Sequence, residues 1–352
     1  MKGSVTVQDS VRGSLIGGAV GDALGYTVEF MHEDSIAMKF GLNGITEYEL
    51  KDGKARISDD TQMTLFTAAG VLLGDADSLN GITTAPGYYV PKCYHDWYIT
   101  QTCSYTSARE EDGGYSGLMD VKELFARRAP GNTCMYALSS GINGSIENPV
   151  NDSKGCGGIM RVAPLALRYR PGDNFKGSIE QLDREGAEIA ALTHGHPLAY
   201  MPAAAVTHVI ALCLTKSAEM SLEEMVLDAR RAVSELFAGD RQLKRLTYLI
   251  DLALELSKCD TPDIENIHDL GAGWVAEETL AIALYCALKY KDDFSKAIIT
   301  SVNHNGDSDS TGAVTGNILG AYLGYQAIDD KWKRKLELND LILGLADELA
   351  GS

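Results

Sequence analysis

Apolar residues recur with a helical period through most of the chain. Residues 9–30 (DSVRGSLIGGAVGDALGYTVEF) carry Val11, Leu15 and Ala19 on one row, with Ile16, Val20, Ala23 and Leu24 beside it. This pattern predicts an amphipathic helix capped by Asp9 or Ser10. From residue 183 the period is almost continuous, and helices are predicted over 183–193, 198–215, 221–238, 241–258, 274–290 and 331–350. The helix at Ser221 has a capping box with Glu224, an apolar stripe through Leu222, Met225, Val226, Ala229 and Val233, and Gly239 as its stop. Two more helical patterns begin at residue 60 (Met63, Phe66, Gly70, Leu73) and at residue 312 (Val314, Ile318, Leu319, Leu323).

Weaker signals fill the rest. Short helices are predicted over 121–128 and 133–141, either side of the turn Ala129-Pro130-Gly131-Asn132. A short strand is expected at 45–50 inside the turn-rich stretch 31–57. Residues 74–120 are irregular and rich in Tyr, Gly and Thr, although Tyr94, Trp97, Tyr98 and Gln101 keep helical spacing. No repeat, low-complexity tract or linker marks a boundary, so one all-α domain over 1–352 is expected.

Glycine adds a second pattern. Gly13, Gly17, Gly21 and Gly25 share one face of the first helix, and Gly312, Gly316, Gly320 and Gly324 share one face of the late helix. Each glycine costs a helix up to about 1 kcal/mol relative to Ala, and the return is close backbone approach to a neighbour. The two glycine faces are therefore expected to pack on one another. Arg12, Asp22 and Asn317 interrupt them and make a membrane reading poor.

Composition narrows the function classes. The 352 residues are 45% apolar, enough for a sizeable core. With 31 basic and 49 acidic residues the net charge is −18, which opposes a nucleic-acid backbone as partner. Seven scattered cysteines, none in a metal-ligand spacing, read as reduced thiols of an intracellular protein. The stretch from Met1 to Ser14 lacks an apolar signal core, and no uninterrupted apolar run reaches membrane-spanning length. A cytoplasmic monomer without a membrane partner is the default expectation.

The chemistry concentrates in two acidic knots. Ser58-Asp59-Asp60-Thr61 opens the helical pattern near residue 60, and Asp307-Ser308-Asp309-Ser310-Thr311 opens the late one. Helix capping explains one oxygen at such a place, and each knot supplies several. An EF-hand loop starting at Asp307 has Gly312 at its sixth position, but its twelfth would be Ile318, where a bidentate Glu is needed. An aspartyl-phosphate phosphatase also uses a D-x-D-x-T run, preceded by a strand in an α/β chain; here the preceding residues 303–306 are polar and the chain reads as helical. The third possibility is a pair of Mg²⁺-class cations held between both knots. Asp22 is open between a structural and a functional role, and Glu29, at the helix end, leans toward function.

Two further segments offer ligand contacts. Lys154-Gly155-Cys156-Gly157-Gly158-Ile159-Met160-Arg161 is a glycine loop leading into a helix with Pro164 near its start. Such loops free backbone N–H groups for an anion, but this one lacks the Walker and dinucleotide-binding spacings. Cys156, with no evident histidine partner, reads as a small loop residue. In Thr193-His194-Gly195-His196-Pro197, His194 reads as a hydrogen-bonding or ligand-contacting group and His196 as structural.

Together GSLIGGAVGDALGYTVEF, SDDTQM, GCGGIMRVAPLA, LTHGHP and NGDSDSTGAVTGNILGAYLG resemble the ADP-ribosylglycohydrolase family, in the family's order and over roughly residues 10–325. The resemblance implies an all-helical fold with two Mg²⁺ or Mn²⁺ ions in a cleft that takes the ADP-ribose moiety of a modified protein or small molecule. Carried over, the metal ligands are Ser58, Asp59, Asp60, Asp307, Asp309 and Ser310, with Ser at 58 and 310 where members often have Thr. Asp307 or Asp309 would serve as catalytic base, and Glu29 would sit over the site in gating or substrate positioning. Gly155, Gly157 and Gly158 would approach the diphosphate and ribose, with His194 beside the ligand. Asn132 stands where some arginine-specific relatives have Asp, which weakens an arginine-specific assignment. The resemblance leaves room for a non-catalytic ADP-ribose or nucleotide sensor. The aglycone choice is expected to lie in residues 88–115 and near Trp274, Glu277 and Glu278.

Overall fold

Helix forms nearly everywhere the apolar period predicts it. The structure is a computed structural model that describes residues 5–79, 87–110, 114–170, 178–216 and 219–351. In chain order the helices begin with α1 (Val7–Gly25), α2 (Glu33–Phe40), α3 (Asp59–Leu79), α4 (Val90–Thr102), α5 (Tyr105–Glu110) and α6 (Asn132–Ser139). There follow α7 (Ala163–Leu167), α8 (Ile179–Ala191), α9 (Pro197–Lys216), α10 (Leu222–Leu236), α11 (Leu243–Leu256) and α12 (Asp263–Leu270). The last five are α13 (Ala276–Lys289), α14 (Phe294–Val302), α15 (Ser308–Leu323), α16 (Asp330–Lys333) and α17 (Asn339–Ala350). Among the described residues there is no strand, only isolated bridges. The fold class is all-α, as expected.

The glycine faces do meet. A Cβ added at Gly13, Gly17 or Gly21 would overlap the carbonyl oxygen of Gly320, Gly316 or Gly312, and the overlaps are reciprocal. The pairing order makes α1 and α15 antiparallel, so the two ends of the chain form the central helix pair. Asn317, which interrupts the apolar face, serves this contact: its Nδ2 donates to Ser14 O at 2.9 Å, and Ser14 Oγ donates to Asn317 O at 2.9 Å. Both helix N-termini that matter for chemistry depend on this pair.

Around it lies a single apolar cluster drawn from most of the helices. Helix α9 is its least polar member. Residues Pro197–Thr215 are long and apolar enough to cross a membrane by composition, yet 94% of that segment is buried inside the protein. It is a core helix, with Thr207 and His208 as its polar interruptions.

Several elements differ from the pattern, some through partners far away in the chain. Helix α1 starts earlier than expected, with Thr6 as cap accepting Asp9 N at 3.1 Å, and it ends at Gly25. The expected strand at 45–50 does not form. Ile45 is instead pinned by one side chain, since its N–H donates to Asn303 Oδ1 at 2.7 Å and its carbonyl accepts Asn303 Nδ2 at 2.9 Å. Residues 121–128 do not form a helix; after a 3₁₀ turn at Gly117–Asp120 the stretch makes only a second one at Lys122–Leu124 and then reverses through Ala129 at φ 53°. The predicted helix 331–350 is split by Leu338 at φ 56°, because residues 335–337 pair with Ala55. Helices α2, α12 and α14 are too short for a periodic signal. Residues 80–86 and 111–113 of the irregular aromatic stretch lie outside the described residues; within that stretch α4 and α5 form. Helix α14 occupies the place where a phosphatase would need a strand, which removes that alternative.

Candidate functional site

The first knot is capped from outside its own helix. Asp22, fully buried on α1, accepts Ser58 N at 3.0 Å, Thr61 N at 3.1 Å and the Thr61 hydroxyl. Ser58 Oγ accepts Asp60 N at 3.1 Å. The free N–H groups of α3 are thus served by Asp22 and Ser58, which leaves the Asp59 and Asp60 carboxylates unneeded as caps. Asp59 N donates to Arg128 O at 3.0 Å, and Gly131 N donates to Asp59 Oδ2 at 3.1 Å. Asn132 follows directly, exposed at the start of α6.

In the second knot Asp307 is itself the cap of α15, accepting Ser310 N at 3.3 Å, while Asp309 Oδ1 accepts the same N–H at 3.0 Å. Gly306, at φ 152°, lets the backbone press on Ala272, whose carbonyl accepts Asp307 N at 2.9 Å. The knots touch: Ser310 Oγ donates to Asp60 Oδ2 at 2.9 Å. Glu29 lies beyond the end of α1 and is 8% exposed, and its Oε2 is buried without a partner. It joins Asp307 and Asp309 in a group whose oxygens lie within 4.8 Å of one another.

Cys156 also belongs here. Its Sγ donates to Asp307 Oδ2 at 2.7 Å, a contact that nothing in the local sequence announces.

Burial and mutual repulsion dominate the electrostatics. Burial first, then the charge of Asp309, pushes Asp59 and Asp60 well above the usual carboxylate range; burial and Asp307 do the same to Asp309. Burial raises Asp307 despite its hydrogen-bond donors. Glu29 is pushed up to about 11 by burial and by Asp309, Asp307 and Asp59, and Asp22 up to about 7 by burial and Asp309. The nearby cations are engaged elsewhere, Arg56 and Arg128 on Glu337 and Lys154 on Glu277. A buried set of carboxylates and hydroxyls, with no cation of its own among the described residues, fits hard divalent ions by donor type and by charge.

The glycine loop faces His194. A Cβ on Gly157 would fall 2.8 Å from His194 Cε1, and one on Gly155 would fall 3.3 Å from Nε2. At Gly157 a side chain would force the imidazole or Cys134 to shift, and at Gly155 the fit is tight. Gly158 turns the other way, a Cβ there falling 3.0 Å from that of Ala190, so its small size serves packing against α8. The loop is tied to the start of α13, where Ala276 N donates to Lys154 O at 2.9 Å.

Arg161 Nη2 donates to Thr193 Oγ1 at 2.6 Å, and the same hydroxyl is hydrogen-bonded to His194 Nδ1 at 2.8 Å, which leaves Nε2 as the ring nitrogen without a side-chain partner. Burial and the Arg161 charge lower His194 to about 3, so it is a neutral N–H donor. His196 accepts Leu198 N at 3.0 Å and is structural.

At the rim, Phe30 and Trp274 stack with centroids 5.9 Å apart, 73% and 44% exposed. They are chain neighbours of Glu29 and of Gly273, which lies against Asp307.

Comparison with known proteins adds a family. The family model described as ADP-ribosylglycohydrolase matches residues 3–352. The ADP-ribosyl-[dinitrogen reductase] glycohydrolase of Rhodospirillum rubrum is 26% identical over 347 residues, covering 95% of this chain and 92% of that protein. Human ADP-ribosylhydrolase ARH3 is 27% identical over 212 residues, 53% of this chain and 54% of that protein, so the match spans about half of that relative. The ADP-ribosylarginine hydrolase Tri1 of Serratia proteamaculans is 25% identical over 345 residues, covering 97% of this chain and 79% of that protein. A solved structure titled "ADP-ribosylglycohydrolase-related protein complex" superposes with a TM-score of 0.65 at 25% identity, covering 98% of both chains.

Proposed function

The chain belongs to the ADP-ribosylglycohydrolase family, and from that premise we propose that it hydrolyses the bond at ribose C1 of an ADP-ribosylated protein or small molecule, using a pair of Mg²⁺ or Mn²⁺ ions. The observation that carries this is the meeting of the two knots through Ser310 and Asp60, with Glu29 beside Asp307 and Asp309. Ser58, Asp59, Asp60, Asp307, Asp309 and Ser310 would hold the ions. Bound there, such ions supply Lewis-acid polarisation of the ribose hydroxyls and of a water.

The rest falls to the chain. Water adds to C1 as the bond to the aglycone breaks, through an oxocarbenium-like state, and the departing atom takes up a proton from solvent, balancing the one lost by the attacking water. Asp307 or Asp309 accepts the proton that the water gives up. Glu29, with a free buried oxygen over the knots, positions the substrate. The loop from Gly155 to Gly158 presents backbone to the diphosphate and ribose, and His194 donates from Nε2. The Phe30–Trp274 pair offers a flat apolar face at the rim for a base or an aglycone.

The test is release of free ADP-ribose from ADP-ribosylarginine and ADP-ribosylserine, first with Mg²⁺ and then with EDTA. Metal-dependent release from either substrate supports the hydrolase, and the preferred one names the linkage. ADP-ribose binding without release from either would support the sensor instead.

A further inference from the structure

The first knot is held from the far end of the chain. Residues 55–57 run beside residues 335–337: Ala55 N donates to Lys335 O at 2.8 Å, and Glu337 N donates to Ala55 O at 3.0 Å. The Glu337 side chain, 4% exposed, then collects three donors. Its Oε2 accepts Ile57 N at 3.1 Å, and its Oε1 accepts Arg128 Nη2 at 3.1 Å and Arg56 Nη1. Ile57 immediately precedes Ser58. Arg128 supplies the carbonyl that accepts Asp59 N, and its loop continues to Gly131, whose N–H holds Asp59 Oδ2. One buried carboxylate therefore fixes both the segment that enters the knot and the loop that aims its first aspartate.

We propose that Glu337 is a positioning residue for the first knot, setting the placement of Asp59 on which cation binding there depends. The inference rests on the cation site proposed above and concerns a residue that touches neither ion nor substrate. The competing explanation is a simple clasp holding the C-terminal segment to the body. The protein carries such a clasp separately: Arg12 on α1 grips Asp347 on α17 in a two-pronged pair at 2.5 and 2.8 Å, with no bond to either knot. Asp347 is the control. Partners that orient metal ligands from behind typically alter affinity by about tenfold to a hundredfold when removed.

The experiment is calorimetric titration of metal-stripped protein with Mn²⁺. Glu337→Gln keeps the volume and an oxygen for Ile57 N but removes the charge shared by the two arginines. It is expected to weaken at least one Mn²⁺ site by about tenfold or more, whereas Asp347→Asn lowers the melting temperature and leaves Mn²⁺ affinity unchanged. Should Glu337→Gln not fold, Arg128→Met, which removes the donor to Glu337 Oε1 while keeping the Arg128 carbonyl that accepts Asp59 N, carries the same expectation. Wild-type affinity in the Glu337 or Arg128 variant, or equal weakening by Asp347→Asn, would overturn the proposal. A wild-type protein that binds no Mn²⁺ would instead overturn the metal site itself, which is a different and separately visible result.

Discussion

Ser310 Oγ donates to Asp60 Oδ2 at 2.9 Å, joining two helix N-termini that are 250 residues apart in sequence. The bond exists because α1 and α15 approach closely along their glycine faces, and because Asp22 on α1 grips the start of α3. The acidic site is thus a consequence of the central helix pair, and its carboxylates are crowded by the fold rather than by local sequence.

Crowding gives the first prediction two opposite signs. Asp309→Ala or Asp59→Ala should abolish turnover while the helical circular dichroism signal persists. The same Asp309→Ala variant, without metal, should melt higher than the wild type, since Asp309 raises Asp59, Asp60, Glu29 and Asp22 together. Each kcal/mol of relieved repulsion is worth about 2–4 °C in a large domain. Near-wild-type activity in either variant would sink the assignment of the site.

The second prediction concerns pH. Glu29 and Asp22 are pushed up to about 11 and about 7, so the folded chain keeps protons that the unfolded chain releases above about pH 4. The stabilisation present below the ordinary carboxylate range is therefore lost as pH rises toward the folded values. Metal-free protein should be less stable at about pH 7.5 than at about pH 5, by on the order of a few kcal/mol. Mg²⁺ or Mn²⁺, competing with those protons, should raise the melting temperature more at the higher pH. Calorimetric melts at both pH values, with and without metal, decide it; a metal-free protein more stable at the higher pH would contradict it.

A third prediction tests the helix pair. A methyl group on Gly21 would land on the Gly312 carbonyl, so Gly21→Ala should cost about 3 kcal/mol or more in urea unfolding. Gly344, exposed in α17 with open space around it, is the counterpart. There the change to Ala should stabilise by about 0.5–1 kcal/mol. Equal effects at the two positions would mean that the glycine faces do not pack as described.

The parts that could be read from sequence are those with a period or a dense local composition. The fourfold glycine rows foretell the α1–α15 contact, and the oxygen-rich knots mark the starts of α3 and α15. What escapes is pairing between isolated residues. Asp22 looks like any lone helical carboxylate until Ser58 N and Thr61 reach it, and Cys156 looks like loop filler until Asp307 does. Glu337 and Asn303 act on backbone far away in the chain, where no periodic signal can reveal a partner. The expected strand at 45–50 falls for the same reason, since Asn303 supplies the hydrogen bonds a neighbouring strand would have made.

The last prediction concerns His194. Its Nδ1 is occupied by the Thr193 hydroxyl, and burial with the Arg161 charge lowers it to about 3, so it stays neutral over the working pH range. With Nδ1 on Thr193, Nε2 is the nitrogen left for a ligand, and an anionic one requires that Nε2 carry the ring proton. A hydrogen bond to a charged group contributes about 1.5–3 kcal/mol. His194→Ala should accordingly raise KM by about tenfold to a hundredfold, with kcat changed far less. His194→Asn, which can present an N–H from a similar place, should recover part of the loss. The pH profile at saturating metal should be unaltered near about pH 6.5, the ordinary histidine value, in all three proteins. Steady-state kinetics across that range separate the outcomes. A fall in kcat equal to that in kcat/KM, or a wild-type inflection that vanishes with His194, would show that the imidazole takes part in proton transfer and is not a fixed donor.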